Sequence, residues 1–497
     1  MSAVRRWLIP SYGAMLALAA LATALVLRGA HMFAHDGDGA RHIRLGYEIL
    51  ERGQVLQTDV LSHTRAGDPI VLHEWLSEVA LAWANGAAGL PGVAVLATLL
   101  FTVAVWAVYW SAEELGALRP LALLVGLLAL LLHSIHLLPR PHLFTTALAA
   151  VYMVLLLRFA RTARWATLAP LPVLMVVWAN LHGGFLLGLV LISAFVVGAL
   201  LDSAEFAGGR RAARPLAVVL VACLAASLVT PHGLELWAYT TGHLGGDDFL
   251  LSVTEEFRSV DFHRAYGRAF LAVLFAGPAL WMTGRVRVSW LGAGLYLFFA
   301  ASALHSARNI PLFALATLPW FAVWAEEALE GGGGAAATVL ARLRRMDRGD
   351  RLLRPWGWTL ADVGLVAWAL GPNAAQYQFD PGVFPVRAVD QLDQIDTSGH
   401  VFNQMPWGGY LLYAAPEIPV FIDGQTDFYG EELAREYLLA VNGRAGWRDV
   451  LDRHAVEWTL IGTRQPLAQL LALDAEWSRV YTDDVAVVYR RNATVSR

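Results

Sequence analysis

The chain has 497 residues, of which 57% are hydrophobic and 16% charged, with a mean hydropathy of +0.49. Soluble domains carry about 25% charged residues, so the composition excludes a soluble globular enzyme and points to a membrane protein with modest water-facing parts. A net charge of −4 without basic runs interleaved with aromatics excludes a nucleic-acid partner, and a lone cysteine, Cys223, excludes an internal disulfide.

The first apolar stretch, 7–27, is about 31 Å long as a helix, which matches a bilayer core. It is too long for a signal-peptide core and lacks a cleavage pattern, so it reads as a retained anchor. Further apolar runs near 91–110, 120–137, 142–158, 167–180, 184–201, 215–229, 268–283, 288–304, 310–326 and 356–370 give about eleven expected spans. All 37 basic residues are arginine, and their placement sets the orientation. With a cytoplasmic N-terminus, every inner segment holds arginine: Arg5 and Arg6, Arg119, Arg158 to Arg164, Arg210 to Arg214, Arg285 and Arg287, and Arg342 to Arg354. An odd number of spans then places the C-terminal portion outside the cytoplasmic membrane.

Two outer loops are long, 29–90 and 231–267. The second mixes Trp237, Tyr239, Phe249, Leu250, Phe257 and Phe262 with polar residues, as a helix lying in the interface would. Gly331 to Gly334 reads as a flexible cytoplasmic linker. After Pro372 the pattern changes to short strands at 401–403, 420–422, 458–461, 480–482 and 485–489, alternating with helical patterns at 386–394, 433–441, 447–453 and 467–473. Asp483-Asp484 reads as a hairpin turn. The expected fold is therefore mainly α: a polytopic helical bundle over 1–371 with a small extracytoplasmic α/β domain over 372–497.

The polar residues at span ends are sorted unequally. The inner ends hold mainly arginines, whereas the outer ends gather Asp36, Asp38, His42, His73, Glu74, Arg140, His142, Asn180, His182, His232, His305, Arg308 and Asn309. Acids and histidines do not help orient a membrane protein, so their concentration on one face needs another cause. Asp36 and Asp38 open the densest part, the segment 34–53. Two carboxylates two residues apart can share a cation, or one can accept a proton while the other orients it; alternatively, Asp38 simply caps the following helix.

Asp36-Gly-Asp38, His42, Gly46 and the Gln57-Thr-Asp59 segment resemble the first outer loop of bacterial GT-C-type integral membrane glycosyltransferases. His73-Glu74-Trp75-Leu76, Trp178-Ala-Asn180-Leu-His182-Gly-Gly184, and Gly408-Gly-Tyr410 followed by Asp423-Gly-Gln-Thr-Asp427-Phe-Tyr429 look similar to motifs of an uncharacterised branch of that group. The resemblance covers nearly the whole chain. It departs where Gly39-Ala40-Arg41 replaces aromatics and where Gln425 stands in place of an expected Arg. It implies a polyprenyl-phosphate sugar donor, a glycan, lipid or protein acceptor, and an acid of the first outer loop as base or metal ligand. That role falls on Asp36 or Asp38, with Asp38 preferred.

Displacing a phosphate-linked lipid from a sugar needs one base for the acceptor proton, and the departing phosphate needs cationic or hydrogen-bonding stabilisation rather than an acid. Arg140, between Pro139 and Pro141, and Arg308, before the tenth span, suit a phosphate, though contact with lipid headgroups would explain them equally. His182 can hydrogen-bond substrate or fix its own loop, and Glu74 can act in the site or serve the helix dipole. His42 completes the expected substrate-binding set. Asp36-x-Asp38 with Glu74 would suit Mg or Mn, although the spacings match no zinc pattern. In the outer domain, Asp423-Gly424 is either a plain turn or part of an acceptor site. Competing functions are a secondary transporter, disfavoured by the absence of a visible internal repeat, and a non-catalytic scaffold for envelope glycan assembly.

Overall fold

The computed structural model describes residues 8–242, 258–353 and 358–492. Arg5, Arg6, Phe249, Leu250, Phe257 and Arg354, used above, lie outside the described residues. The N-terminal part is a helical bundle: α1 (Tyr12–Ala22), α2 (Asp38–Arg52), α3 (Trp75–Glu114), α4 (Arg119–His133), α5 (His142–Thr162), α6 (Pro170–Leu181), α7 (Leu186–Leu201), α8 (Ala213–Ala226) and α9 (Leu234–Gly242). It continues through α10 (Ala265–Met282), α11 (Trp290–His305), α12 (Ile310–Glu330), α13 (Ala335–Asp350) and α14 (Thr359–Leu370).

A helix underlies each of the eleven expected spans, but length and apolarity fit six for crossing a membrane: Trp75–Glu114, Arg119–His136, His142–Thr162, Gly183–Leu201, Ala265–Met282 and Ala307–Glu330. Four shorter apolar helices, Tyr12–Leu27, Trp165–Leu181, Trp290–His305 and Thr359–Leu370, stand beside them. Among the described residues, the eleven expected spans thus correspond to six full-length apolar helices and several shorter ones. Two of the short ones, α11 and α14, end at Ser306 and Gly371, which leave helical geometry at the C-terminal limits of the runs expected at 288–304 and 356–370.

Helix α3 runs for 40 residues, about 60 Å at ideal rise, which exceeds a bilayer core. The chain turns within it at Ala88 and Gly89, where Gly89 takes φ 64° and ψ −158°. That conformation is open to glycine and strained for a residue with a Cβ. The break separates an arm, 75–87, from the membrane-crossing helix that begins near Pro91. The arm is crossed by α2 at very short range, because a Cβ on Gly46 would lie 2.0 Å from the Glu78 carbonyl oxygen. One turn before Gly46, His42 is thereby pressed against the acids of the arm.

The C-terminal part carries a four-stranded sheet of β1 (His400–Asn403), β2 (Val456–Gly462), β3 (Trp477–Thr482) and β4 (Ala486–Arg491), in the order β1-β2-β4-β3. β1 and β2 are parallel, while β4 runs antiparallel to both β2 and β3. Asp483 makes the β3–β4 turn by accepting the amides of Val485 and Ala486, each at 2.7 Å. Helices α15 (Met405–Ala414), α16 (Thr426–Val441), α17 (Trp447–Arg453) and α18 (Pro466–Leu471) complete the α/β pattern. The expected strand at 420–422 is absent. Val420 instead forms one isolated parallel bridge with Ser62 of the first long loop, and Phe421 and Ile422 are buried. The expected helix at 386–394 is two single turns, Val386–Val389 and Leu392–Gln394.

This part is not a pendant module. The amide of Val420 donates to Leu61 O, and that of His63 to Val420 O, each at 3.0 Å. Gly409 of α15 meets the backbone of Gly37 so closely that an added Cβ would be 2.2 Å from its carbonyl oxygen. One hydrophobic core runs continuously from the bundle to Val401, Trp458 and Val488, and a second lies around Phe402, Tyr429 and Leu451.

Candidate active site at one end of the bundle

Of the residues expected at the outer span ends, Asp36, Asp38 and Arg140 form one linked group and His42, His73, Glu74 and His182 another, whereas Asn180 donates to Val176 O and Val229 O and Asn309 to Ser302 O. Asp36 is 6% exposed and sits just before α2. Its Oδ2 accepts Arg140 Nε at 2.7 Å, its Oδ1 accepts Arg140 Nη2 at 2.5 Å, and the same Oδ1 accepts the Asp38 amide at 3.1 Å. Asp36, rather than Asp38, thus satisfies the start of α2, whose N-cap position is Gly37. Asp38 lies in the first turn with its side chain 35% exposed, and its Oδ2 is 3.1 Å from Arg140 Nη1. Arg140 is held between two short turns, Leu138 O accepting its amide at 2.8 Å. Its three nitrogens therefore divide two to Asp36 and one to Asp38.

Beside this pair lies a histidine–carboxylate network. His42, on the same helical face as Asp38, places Nδ1 3.2 Å from Glu78 Oε1 and Nε2 3.8 Å from Glu74 Oε2. Glu74 precedes the first turn of α3 without capping it, and its Oε1 lies 3.5 Å from His73 Nε2 and 3.3 Å from His182 Nε2. The helix dipole alone does not account for Glu74, because its oxygens face imidazoles. Burial opposes charge on both His73 and Glu74, but their mutual attraction outweighs it. His73 is held above the ordinary imidazole value, and Glu74 falls well below the usual carboxylate range, with His182 and His42 contributing.

His182 behaves differently. Its Nδ1 accepts the Gly184 amide at 2.8 Å and lies 2.9 Å from Thr145 Oγ1, which itself receives Trp178 Nε1 at 2.8 Å. An accepting Nδ1 fixes the tautomer with hydrogen on Nε2, aimed at Glu74. Burial, against the attraction of Glu74, lowers this imidazole to about 4, so it is neutral at pH 7. Arg308, in the short turn Ala307–Asn309, lies close enough for its charge to act on His182.

The C-terminal part closes the site from the other side. Arg41, buried on α2, donates through Nε to Asp423 Oδ2 at 3.3 Å and through Nη2 to Gln425 Oε1. Tyr429 donates to the same Asp423 oxygen at 3.1 Å. Gly424 lies directly on Asp38: a Cβ there would be 2.0 Å from Asp38 Oδ1. Asp427 accepts the hydroxyl of Tyr239 from α9, whose ring lies 4.8 Å from that of His73. Burial, then Asp427, pushes the Tyr239 phenol far above its ordinary value, so it remains a donor.

Among the described residues, His42, Glu74 and Glu78 each offer a ligand atom, all within 4.8 Å of one another, a set that could hold a divalent cation. Glu78 is 2% exposed as a side chain, and its Oε2 has no hydrogen-bond partner. This differs from the ligand set read from sequence: Asp36 and Asp38 face Arg140, and Glu78 takes their place. An imidazole with two carboxylates suits Mn or Zn better than Mg. Glu78 was legible in principle, since it lies four residues after Glu74 on one face of a helix. The Arg41–Asp423 and Tyr239–Asp427 pairs carried no local signal, because each joins segments far apart in the chain.

The fold, a bundle of apolar helices with an acid- and histidine-rich site at one end and a strand-containing C-terminal part over it, is shared with a solved membrane protein. The particular likeness is to ArnT from Cupriavidus metallidurans bound to undecaprenyl phosphate: TM-score 0.53, 15% sequence identity, covering 97% of this chain and 98% of that one. The same protein in the apo state gives a TM-score of 0.50 at 17% identity, covering 98% of each chain. At these identities the likeness is one of fold. No protein-family model and no curated protein sequence matches the chain.

Proposed function

We propose that the chain is an inverting membrane glycosyltransferase that moves a sugar from a polyprenyl-phosphate donor to a glycan, lipid or protein acceptor. The reaction is placed on the outer face of a bacterial cytoplasmic membrane, with the N-terminus inside and the strand-bearing C-terminal part outside. The observation that carries this reading is the state of the Asp36–Arg140–Asp38 group. Asp36 is buried and saturated by Arg140, whereas Asp38 keeps a third of its side chain open. One acid therefore positions the guanidinium, and the other remains accessible.

In this reading Asp38 takes the acceptor hydroxyl proton as the acceptor oxygen bonds to the anomeric carbon and the lipid phosphate leaves with its bonding electrons. Arg140 Nη1 turns from Asp38 to the phosphate, and Arg308 adds positive charge. Neutral His182 and the His73–Glu74 pair line the donor side, with His42 between Glu74 and Glu78. A divalent cation at His42, Glu74 and Glu78 would add charge stabilisation for the phosphate. The likeness to a protein solved with undecaprenyl phosphate supports the donor class. A secondary transporter fits less well, because the network lies at helix ends rather than mid-span.

The test is transfer of labelled sugar from polyprenyl-phosphate donors in membranes containing the protein. Asp38→Asn is expected to lower the rate by about 10²–10⁴-fold, the usual contribution of a positioned base. Unchanged transfer by that variant would remove Asp38 from the chemistry, and a wild-type protein inactive with every such donor would favour the scaffold reading.

A further inference from the structure

The end of the bundle away from the site is built around helix α13. Asp347 and Asp350, both buried, point inward from it. Asp347 Oδ1 accepts the backbone amide of Arg119 at 3.2 Å, and Asp350 Oδ1 accepts that of Tyr12 at 2.8 Å. Arg119 Nη1 also donates to Asp350 Oδ2 at 3.0 Å. These amides are the free donors at the first turns of α4 and α1, so α13 is stapled across two helix N-termini. Both helices then run toward the site, α1 ending before Asp36 and α4 before Arg140. Helix α12 runs the other way, from Arg308 to Glu330 beside α13. Therefore α13 packs at the end of the bundle opposite the site.

The rest of its circumference is unusual for a helix facing only water. Next to the stapled edge, Val339 and Met346 are 45% and 46% exposed. Beyond them Arg342, Arg345 and Arg348 are exposed and make no ion pair or hydrogen bond with any described residue. The neighbouring arginines differ: Arg344 is paired with Glu330, and Arg351 with Asp347 at 2.8 Å. An apolar edge flanked by an unpaired cationic arc is the pattern of a helix seated in an anionic membrane surface.

We infer that α13 is a binding surface for anionic phospholipids, seating Val339 and Met346 at the acyl boundary while Arg342, Arg345 and Arg348 hold headgroup phosphates in the leaflet opposite the site. Guanidinium groups meet phosphate oxygens bidentately, and their positive charge selects phosphatidylglycerol over zwitterionic phosphatidylcholine. The surface does not depend on the proposed reaction.

The experiment is native mass spectrometry of the detergent-purified full chain equilibrated with phosphatidylglycerol or phosphatidylcholine. Wild type is expected to retain phosphatidylglycerol preferentially, with binding weakened by added salt. The R342Q/R345Q/R348Q variant is expected to lose that binding by tenfold or more, given roughly fivefold per arginine near a charged surface. R342K/R345K/R348K, which keeps the charge, is expected to retain most of it. A control triple change on exposed arginines of the C-terminal part, R444Q/R464Q/R479Q, should leave it intact. Equal retention of the two lipids by wild type, undiminished binding by the glutamine variant, or an equal loss in the control would each overturn the inference.

Discussion

Both ends of the bundle bury carboxylates beside arginines, yet the two do different things. At the α13 end, Asp347 and Asp350 accept backbone amides of helix first turns, and Arg119 closes the group with Glu113 at 2.6 Å. At the site end, Asp36 also accepts a first-turn amide, that of Asp38, but Asp38, Glu74 and Glu78 meet other side chains. Asp38 stays partly open, Glu78 keeps an unbonded oxygen, and Glu74 is surrounded by three imidazoles. Groups that satisfy the backbone hold the fold; groups that satisfy only one another remain available to a ligand.

That contrast can be broken most directly by exchanging its two kinds of acid. Asp38→Asn should cost two to four orders of magnitude in sugar transfer while moving the melting temperature little. Asp350→Asn should do the reverse, losing about 1–2 kcal/mol of stability through the weakened cap and ion pair, with transfer per folded molecule near wild type. A large stability loss in the first, or a large activity loss in the second, would erase the distinction. Between them in transfer effect stands Gly424→Ala. Its methyl group must displace the Asp38 carboxylate, and about 10–100-fold slower transfer is expected from the misplaced base. Normal turnover by this variant would show that the position of Asp38 against the C-terminal part is immaterial.

The smallest effect is on pH dependence. The unfolded chain protonates His182 near pH 6.5, whereas the folded chain does so only near pH 4. Stability from this group is therefore lost as pH falls through that window, by about 1.4 kcal/mol per unit for one proton. His63, lowered by burial to about 4, adds in the same direction. His73 acts oppositely: its raised value stabilises the fold at low pH, and that contribution is lost as pH rises through it. Melting temperatures from pH 4 to 7 should show a gentler acid slope in His182→Gln than in wild type. Identical slopes would mean that the imidazole is charged in the fold.

Much of the architecture was legible because each element is a local matter. Apolar runs near bilayer length become helices, and the hairpin at Asp483 and the helix Trp447–Arg453 fall where their residues predict. The strand predicted at 420–422 failed because Val420 finds its partner in the first long loop, at Ser62, rather than in the sheet. Trp290–His305 and Thr359–Leu370 are shorter than a full span because the apolar runs that predict them end where Ser306 and Gly371 leave helical geometry.

What the sequence determined by itself is the gathering of acids and histidines at one set of helix ends, since side-chain chemistry and hydrophobic spacing are written residue by residue. Only the tertiary structure decided which of those groups pair. Arg140 reaches Asp36 across 104 positions and Arg41 reaches Asp423 across 382, and such contacts depend on backbones brought together at Gly46 and Gly409 and on the room that Gly424 leaves for the Asp38 side chain. Their energies exist only after the helices have crossed, so no window along the chain contains them.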